Sequence, residues 1–163
     1  KFYLSILNSS LISYFYNSFF GESNTNLTKL AFETIPIPDI LNISQTEFIV
    51  KVDLMLLLIE ELQDASKKFQ RTLQRNLESL EKLSKKLENW HELTFTDFVK
   101  ELKKKKIKLS LSEETEWEDY FLIEQQKTLE IKAQINQTDK EIDTMVYELY
   151  DLTDEEIAII END

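Results

Sequence analysis

Residues 48–90, FIVKVDLMLLLIEELQDASKKFQRTLQRNLESLEKLSKKLENW, carry apolar side chains at Phe48, Val52, Met55, Ile59, Leu62, Phe69, Leu73, Leu77, Leu80, Leu87 and Trp90. The steps are three, four or seven residues, the spacing of a heptad seam on one face of a helix. Ser44, with Glu47 three residues on, has the form of a capping box at the start. The spacing predicts a helix over about 46–91, on the order of 60 Å long at about 1.5 Å per residue. Its early part, LMLLLIEEL, is apolar on more than one face and predicts wider burial there.

A second run answers the first. Trp117, Phe121, Glu124, Thr128, Ile131, Ile135, Thr138, Ile142, Met145 and Leu149 alternate by four and three without a slip, with a polar middle. This predicts a helix over about 113–150, opened by Ser112 with Glu113 and Glu114 at the positive end of the helix dipole. A striped rod is not stable alone in water and must bury its stripe. A linker over 92–112 is long enough for the two helices to bury their stripes against each other, antiparallel. Within it, Thr94 or Thr96 caps a short helix, TDFVKELKKKK, followed by an extended or turn segment, IKLSLS. The basic stretch Lys67, Lys68, Arg71, Arg75, Lys82, Lys85 and Lys86 would then lie beside acidic Glu114, Glu116, Glu118, Asp119, Glu124 and Glu130, flanking charges that set orientation.

Composition excludes much else. The 163 residues carry a net charge of −12, with one Gly, two Pro, no Cys and one His. One glycine cannot build a Gly-rich phosphate loop. The absence of cysteine removes disulfides, thiolate metal sites and cysteine nucleophiles, and suits a cytoplasmic protein. One histidine, His91, is too few for the usual catalytic metal sets, and beside Trp90 at a helix end it reads as a cap or surface residue. The longest apolar run is Leu54 to Ile59, six residues, against about 20 for a membrane span. Charge divides unevenly: net −2 over residues 1–50, +4 over 51–108 and −14 over 109–163.

The N-terminal part is different in kind. Residues 2–20 are aromatic-rich and uncharged, with Phe2, Ile6, Leu7, Ile12 and Phe15 near one helical face and a break at Asn8-Ser9-Ser10. Gly21 to Thr28 has the composition of a loop and Leu30 to Ile35 that of a short strand or extended piece. Pro36 and Pro38 in IPIP hold the chain extended before the long helix, a rigid connector. The expected fold is therefore mainly α: a long, coiled-coil-like antiparallel helical hairpin over 44–163. A small α/β element over 1–43 precedes it, and a short helix over 154–161, capped by Thr153 with Glu156, ends it. A first residue that is Lys, in an already patterned stretch, suggests a piece of a longer chain.

The tail EIDTMVYELYDLTDEEIAIIE, residues 141–161, closely resembles the C-terminal signature of TaqI-like specificity domains. These belong to single-chain, type IIG-like adenine methyltransferase/endonucleases of restriction–modification systems and, more distantly, resemble type I specificity subunits. The pattern runs D-x-x-V-Y-x-L-Y-G-L-T, and Ile142, Val146, Tyr147, Leu149, Tyr150 and Leu152 fall within the segment that matches it. Asp151 stands where the pattern has Gly. The opening KFYLSILNSSLISYFY, the proline pair Pro36 and Pro38, and TFTDFVKELKKKKIKLSLSEETEWEDYF over 94–121 are similar to the end of a target-recognition domain, its connector and an inter-helix insertion.

The resemblance implies a spacer that positions target recognition relative to an upstream adenine-N6 methyltransferase, whose cofactor would be S-adenosylmethionine. This chain has no methyltransferase tetrapeptide, so no catalytic residue, cofactor or metal site is expected in it. The implied partners are duplex DNA and the upstream methyltransferase and recognition domains, with the hairpin itself a monomer. The sharpest DNA-contact candidates are Lys100, Lys103, Lys104, Lys105, Lys106 and Lys108, since basic side chains gain from counterion release at phosphates. The competing reading is the solvated cationic end of a short helix. A different class of function, a generic coiled-coil module that self-associates through its heptads, also fits the composition.

Overall fold

The computed structural model describes residues 1–20, 33–38, 45–77, 80 and 82–162. Its elements are α1 (Phe2–Leu7), α2 (Ser10–Phe20), α3 (Gln45–Asn76), α4 (Lys85–Glu88), a 3-10 turn (Trp90–Glu92), α5 (Phe95–Lys104), α6 (Leu111–Leu149) and α7 (Asp154–Glu161). The protein is mainly α, and no strand occurs among the described residues. No helix among them is long and apolar enough to cross a membrane. The chain forms two compact units, one of residues 1–56 and 136–163, the other of residues 57–135.

In the first unit the start of α3 packs against the end of α6. Phe48 and Val52 join Ile142 and Val146 in one buried cluster with Phe2, Ile6, Ile12 and Ile35. Lys51 Nζ reaches Glu141 Oε2 at 2.6 Å, and Lys1 pairs with Asp53. The break falls where the polar triplet lies: α1 ends at Leu7, and α2 opens at Ser10, behind Ser9, whose Oγ accepts from Ile12 N at 3.4 Å. Asp143 accepts from both the Ser10 amide, at 2.8 Å, and the Ser10 hydroxyl, at 2.7 Å. A carboxylate at the first turn of α2 meets otherwise orphaned amides and the positive dipole end.

The expected strand over 30–35 is corrected where it is described: Glu33 and Thr34 are helical. Leu30 to Phe32, the loop Gly21 to Thr28 and the Ser44 cap lie outside the described residues.

The tail follows its sequence signals closely. Thr153 Oγ1 accepts from Glu156 N at 3.3 Å while Glu156 Oε2 accepts from Thr153 N at 2.8 Å, a complete capping box for α7. Asp151 has φ 52°, the left-handed region. Leu152 N donates to Tyr147 O at 3.1 Å and Asp151 N to Glu148 O at 3.2 Å, the Schellman pattern that closes α6. Glycine adopts that conformation without a Cβ penalty. Replacing Asp151 by Gly should therefore raise stability by about 1 kcal/mol, read as a higher thermal midpoint.

The second unit holds the largest correction. The helix expected to run to residue 91 stops at Asn76, whose side-chain amide donates to Thr72 O at 2.8 Å. The heptad leucines continue past this point but fold back. Leu80, Leu87 and Trp90 are buried in the same cluster as Phe69 and Leu73. Trp90 stacks on Phe69 with ring centroids 3.7 Å apart, whereas an unbroken helix would hold these residues about 30 Å apart. Burial of three large side chains outweighs continued helix through a stretch rich in Asn and Ser, which favour caps over interiors. Ser84 accordingly caps α4, accepting from Leu87 N.

Phe69 faces Trp117, Tyr120 and Phe121, and the more C-terminal Asn76 and Leu77 share a cavity with Glu113 and Glu116, so α3 and α6 run antiparallel in this unit. The α6 start is also earlier than expected. It begins at Leu111, and Ser110, not Ser112, makes the capping box: Glu113 Oε2 accepts from Ser110 N at 2.8 Å. Thr128, a polar position in the seam, is buried and donates to Glu124 O at 2.8 Å, so its hydroxyl is satisfied without a partner helix. The expected charge pairing is absent: among the described residues no ion pair joins the basic side chains of 67–86 to the acidic ones at the start of α6.

Candidate nucleic-acid interface

The lysine run owes its position to α5. Thr94, rather than Thr96, caps this helix, its Oγ1 accepting from Asp97 N at 3.1 Å. Phe98, Val99 and Leu102 bury one face in the second unit's core, which turns the intervening lysines outward. Lys106 has φ 64°, with its amide on Lys103 O at 2.9 Å and Ile107 N on Leu102 O at 3.1 Å. This second Schellman motif returns Ile107 to the core beside Leu102, and Lys108 emerges exposed beyond it.

The six lysines are not equivalent. Lys100 Nζ lies 2.9 Å from Asp97 Oδ1, and Lys104 Nζ 2.7 Å from Glu101 Oε1. Glu101 is itself buried and also accepts from Ser84 Oγ at 3.2 Å. Hydrogen bonds from Lys100 and Thr94 hold the Asp97 carboxyl below its usual range, and the Lys104 bond does the same for Glu101. Lys103, Lys105, Lys106 and Lys108 are exposed and have no carboxylate partner among the described residues. These four are the cations at this corner free to meet phosphate.

The remaining predicted residues gather in the first unit. Ile142 and Val146 are core, Leu149 and Tyr150 pack against it, Tyr147 is buried and Leu152 half-buried. Tyr150 Oη donates to Pro36 O at 2.7 Å, and Ile35, the first residue of IPIP, lies in the same cluster. The proline pair and the tail motif, 114 residues apart, thus meet directly. Pro38 follows without regular structure.

His91 is buried, contrary to its reading as a cap or surface residue, because the 3-10 turn folds inward with Trp90. Gln125 Nε2 donates to His91 O at 2.9 Å and Leu93 O at 2.7 Å, and Lys132 pairs with Glu92 at 2.6 Å, tying this turn to α6. No sequence signal marks Gln125 for this task. Burial, then the Lys132 charge, lower the imidazole pKa. Below about pH 6.5 the unfolded chain takes up a proton that the folded chain resists, so stability should fall as pH drops. His91 is the only histidine, so His91→Gln should flatten the change in urea midpoint between pH 7 and 5.5.

Among the described residues, no group of three or more His, Cys, Asp or Glu is arranged to hold a metal ion. No curated protein and no solved structure matches the chain. Residues 42–146, more than half of the chain, from the approach to α3 to near the end of α6, match the family model described as a domain of unknown function, DUF8810. The chain belongs to the DUF8810 family.

Proposed function

We propose that this chain is the spacer part of a DNA-specificity region in a restriction–modification enzyme, setting target recognition relative to an adenine-N6 methyltransferase. The observation that carries the reading is the Tyr150–Pro36 bond, which joins the two motifs behind the resemblance. The left-handed Asp151, at the position where the resembling pattern has Gly, supports it as well. In this reading the α5 corner supplies sequence-independent phosphate contacts through Lys103, Lys105, Lys106 and Lys108.

The test uses the full open reading frame that encodes these residues. Incubated with duplex DNA and labelled S-adenosylmethionine, the expressed protein should place methyl groups on adenine N6 at one target sequence. Failure to methylate any duplex overturns the reading. Residues 1–163 alone, tested by gel shift, should bind DNA weakly and without sequence preference. The slope of log affinity against log salt should lie near −3 to −4, as about four phosphate contacts require. Tight, sequence-specific binding by these residues contradicts a spacer.

A second reading, self-association, draws on exposed apolar side chains of α3 in the first unit: Val50 is 59% and Leu56 49% exposed. Light scattering across a concentration series separates the two, a constant monomer mass favouring the spacer.

A further inference from the structure

The second unit contains a cavity of about 340 Å³ between α3 and α6, with Trp117 and Tyr120 as walls, Leu77 as an apolar end, and Asn76, Glu113 and Glu116 around it. The two rings stand nearly perpendicular, 5.8 Å apart with an interplanar angle of 72°. Phe69 holds them there, stacked on Tyr120 at 5.5 Å and edge-on to Trp117 at 6.3 Å. The aromatic walls are thus fixed before anything enters, so no ordering of the two rings opposes binding.

The charged groups around the cavity, Glu113 and Glu116, are of one sign. Ser110 donates to Glu113 through both amide and hydroxyl, at 2.8 and 2.6 Å, which orients that carboxylate and lowers its pKa. Glu116 accepts only a long 3.4 Å contact from Ser112. The Asn76 amide nitrogen is engaged with Thr72 O, leaving its side-chain oxygen as an acceptor. Despite the basic residues of α3, none lies within ion-pair distance of Glu113 or Glu116 among the described residues. Two carboxylates and two aromatic walls attract a cation, and the rings favour an organic one. A volume at the lower end of small-ligand sites suits a compact group.

We propose that this cavity binds an alkylammonium ion, either a free amine or the ammonium end of a lysine side chain on another protein. The Trp117 indole N–H resonance is the reporter. Titration with tetramethylammonium chloride should shift it saturably, while the uncharged isostere tert-butyl alcohol at equal concentration should not. Trp117 also packs against Phe69, so the decisive variant is Glu116→Gln, which lies outside the core. It should weaken tetramethylammonium binding by roughly three- to tenfold. Spermidine and a capped lysine peptide then separate the sources, the tighter of the two identifying which amine the cavity takes. The proposal is overturned by equal shifts with the neutral alcohol, by no saturable shift up to about 50 mM, or by a Glu116→Gln variant that binds as well as the parent.

Discussion

Phe69→Ala should remove about 4–5 kcal/mol from the stability of the second unit. Phe69 is wholly buried. Trp90 and Tyr120 lie parallel to its ring, at 3.7 and 5.5 Å, and Phe98, Phe121 and Trp117 meet it edge-on at 5.9, 5.9 and 6.3 Å. Truncation loses the transfer energy of a phenyl group, leaves a cavity lined by rings that cannot collapse without leaving their rotamers, and deletes several aromatic pairs at once. A small unit commands only about 5–15 kcal/mol in total, so the variant should sit near its unfolding midpoint. Trp90 and Trp117, the two tryptophans of the chain, both lie in this unit and report on it. In a urea titration followed by tryptophan fluorescence, the midpoint should fall sharply. Phe19→Ala, at 72% exposure, should stay within about 0.5 kcal/mol of the parent. A Phe69→Ala loss below about 1 kcal/mol would mean that these rings do not form the core.

The same cluster explains how far the sequence could be read. The α6 seam from Trp117 to Leu149 is legible because steps of four and three are sustained with no competing signal. The first half of α3 is legible as a helix for the same reason, but the wider burial expected over LMLLLIEEL is not found: Leu58 is buried while Leu54, Leu56, Leu57 and Ile59 are exposed. Beyond Asn76 the periodicity misleads: Leu77, Leu80, Leu87 and Trp90 satisfy a heptad equally well on a continuing helix or wrapped around Phe69. Only tertiary burial decides between the two. The signals for a break, Asn76, Ser84 and Asn89, are individually weak, and the cap at Ser84 and the place of Asn89 between α4 and the 3-10 turn become visible only once the chain turns. At the candidate interface the charge was legible and its division was not, although Asp97–Lys100 and Glu101–Lys104 stand at a pairing distance of three residues. Contacts between distant segments, such as Gln125 with Leu93 O, leave no periodic trace at all.

A long-range polar contact, between Ser10 and Asp143, predicts the second large effect. Asp143→Ala should cost the first unit about 2–3 kcal/mol, because both Ser10 donors then lose a charged acceptor in a partly buried setting. The lost interactions are short, at 2.8 and 2.7 Å, and one of them satisfies an amide at the start of α2 that no intrahelical carbonyl can reach. Some of the cost is offset: Asp143 raises the pKa of nearby Asp139, after the larger effect of burial, and its removal relieves that repulsion. Asp143→Asn should cost less than Asp143→Ala, since an amide oxygen can still accept one bond while the charge on the helix dipole is lost. The discriminating measurement is a double-mutant cycle with Ser10→Ala, followed by far-UV circular dichroism in urea. A coupling energy of about 1 kcal/mol or more is expected, carried by the hydroxyl bond alone, because the Ser10 amide survives the serine substitution. Additive single effects would place Asp143 among surface carboxylates. Coupling would make it the clasp by which the aromatic N-terminal helices are held to the end of α6, next to the turn that presents Tyr150 to Pro36.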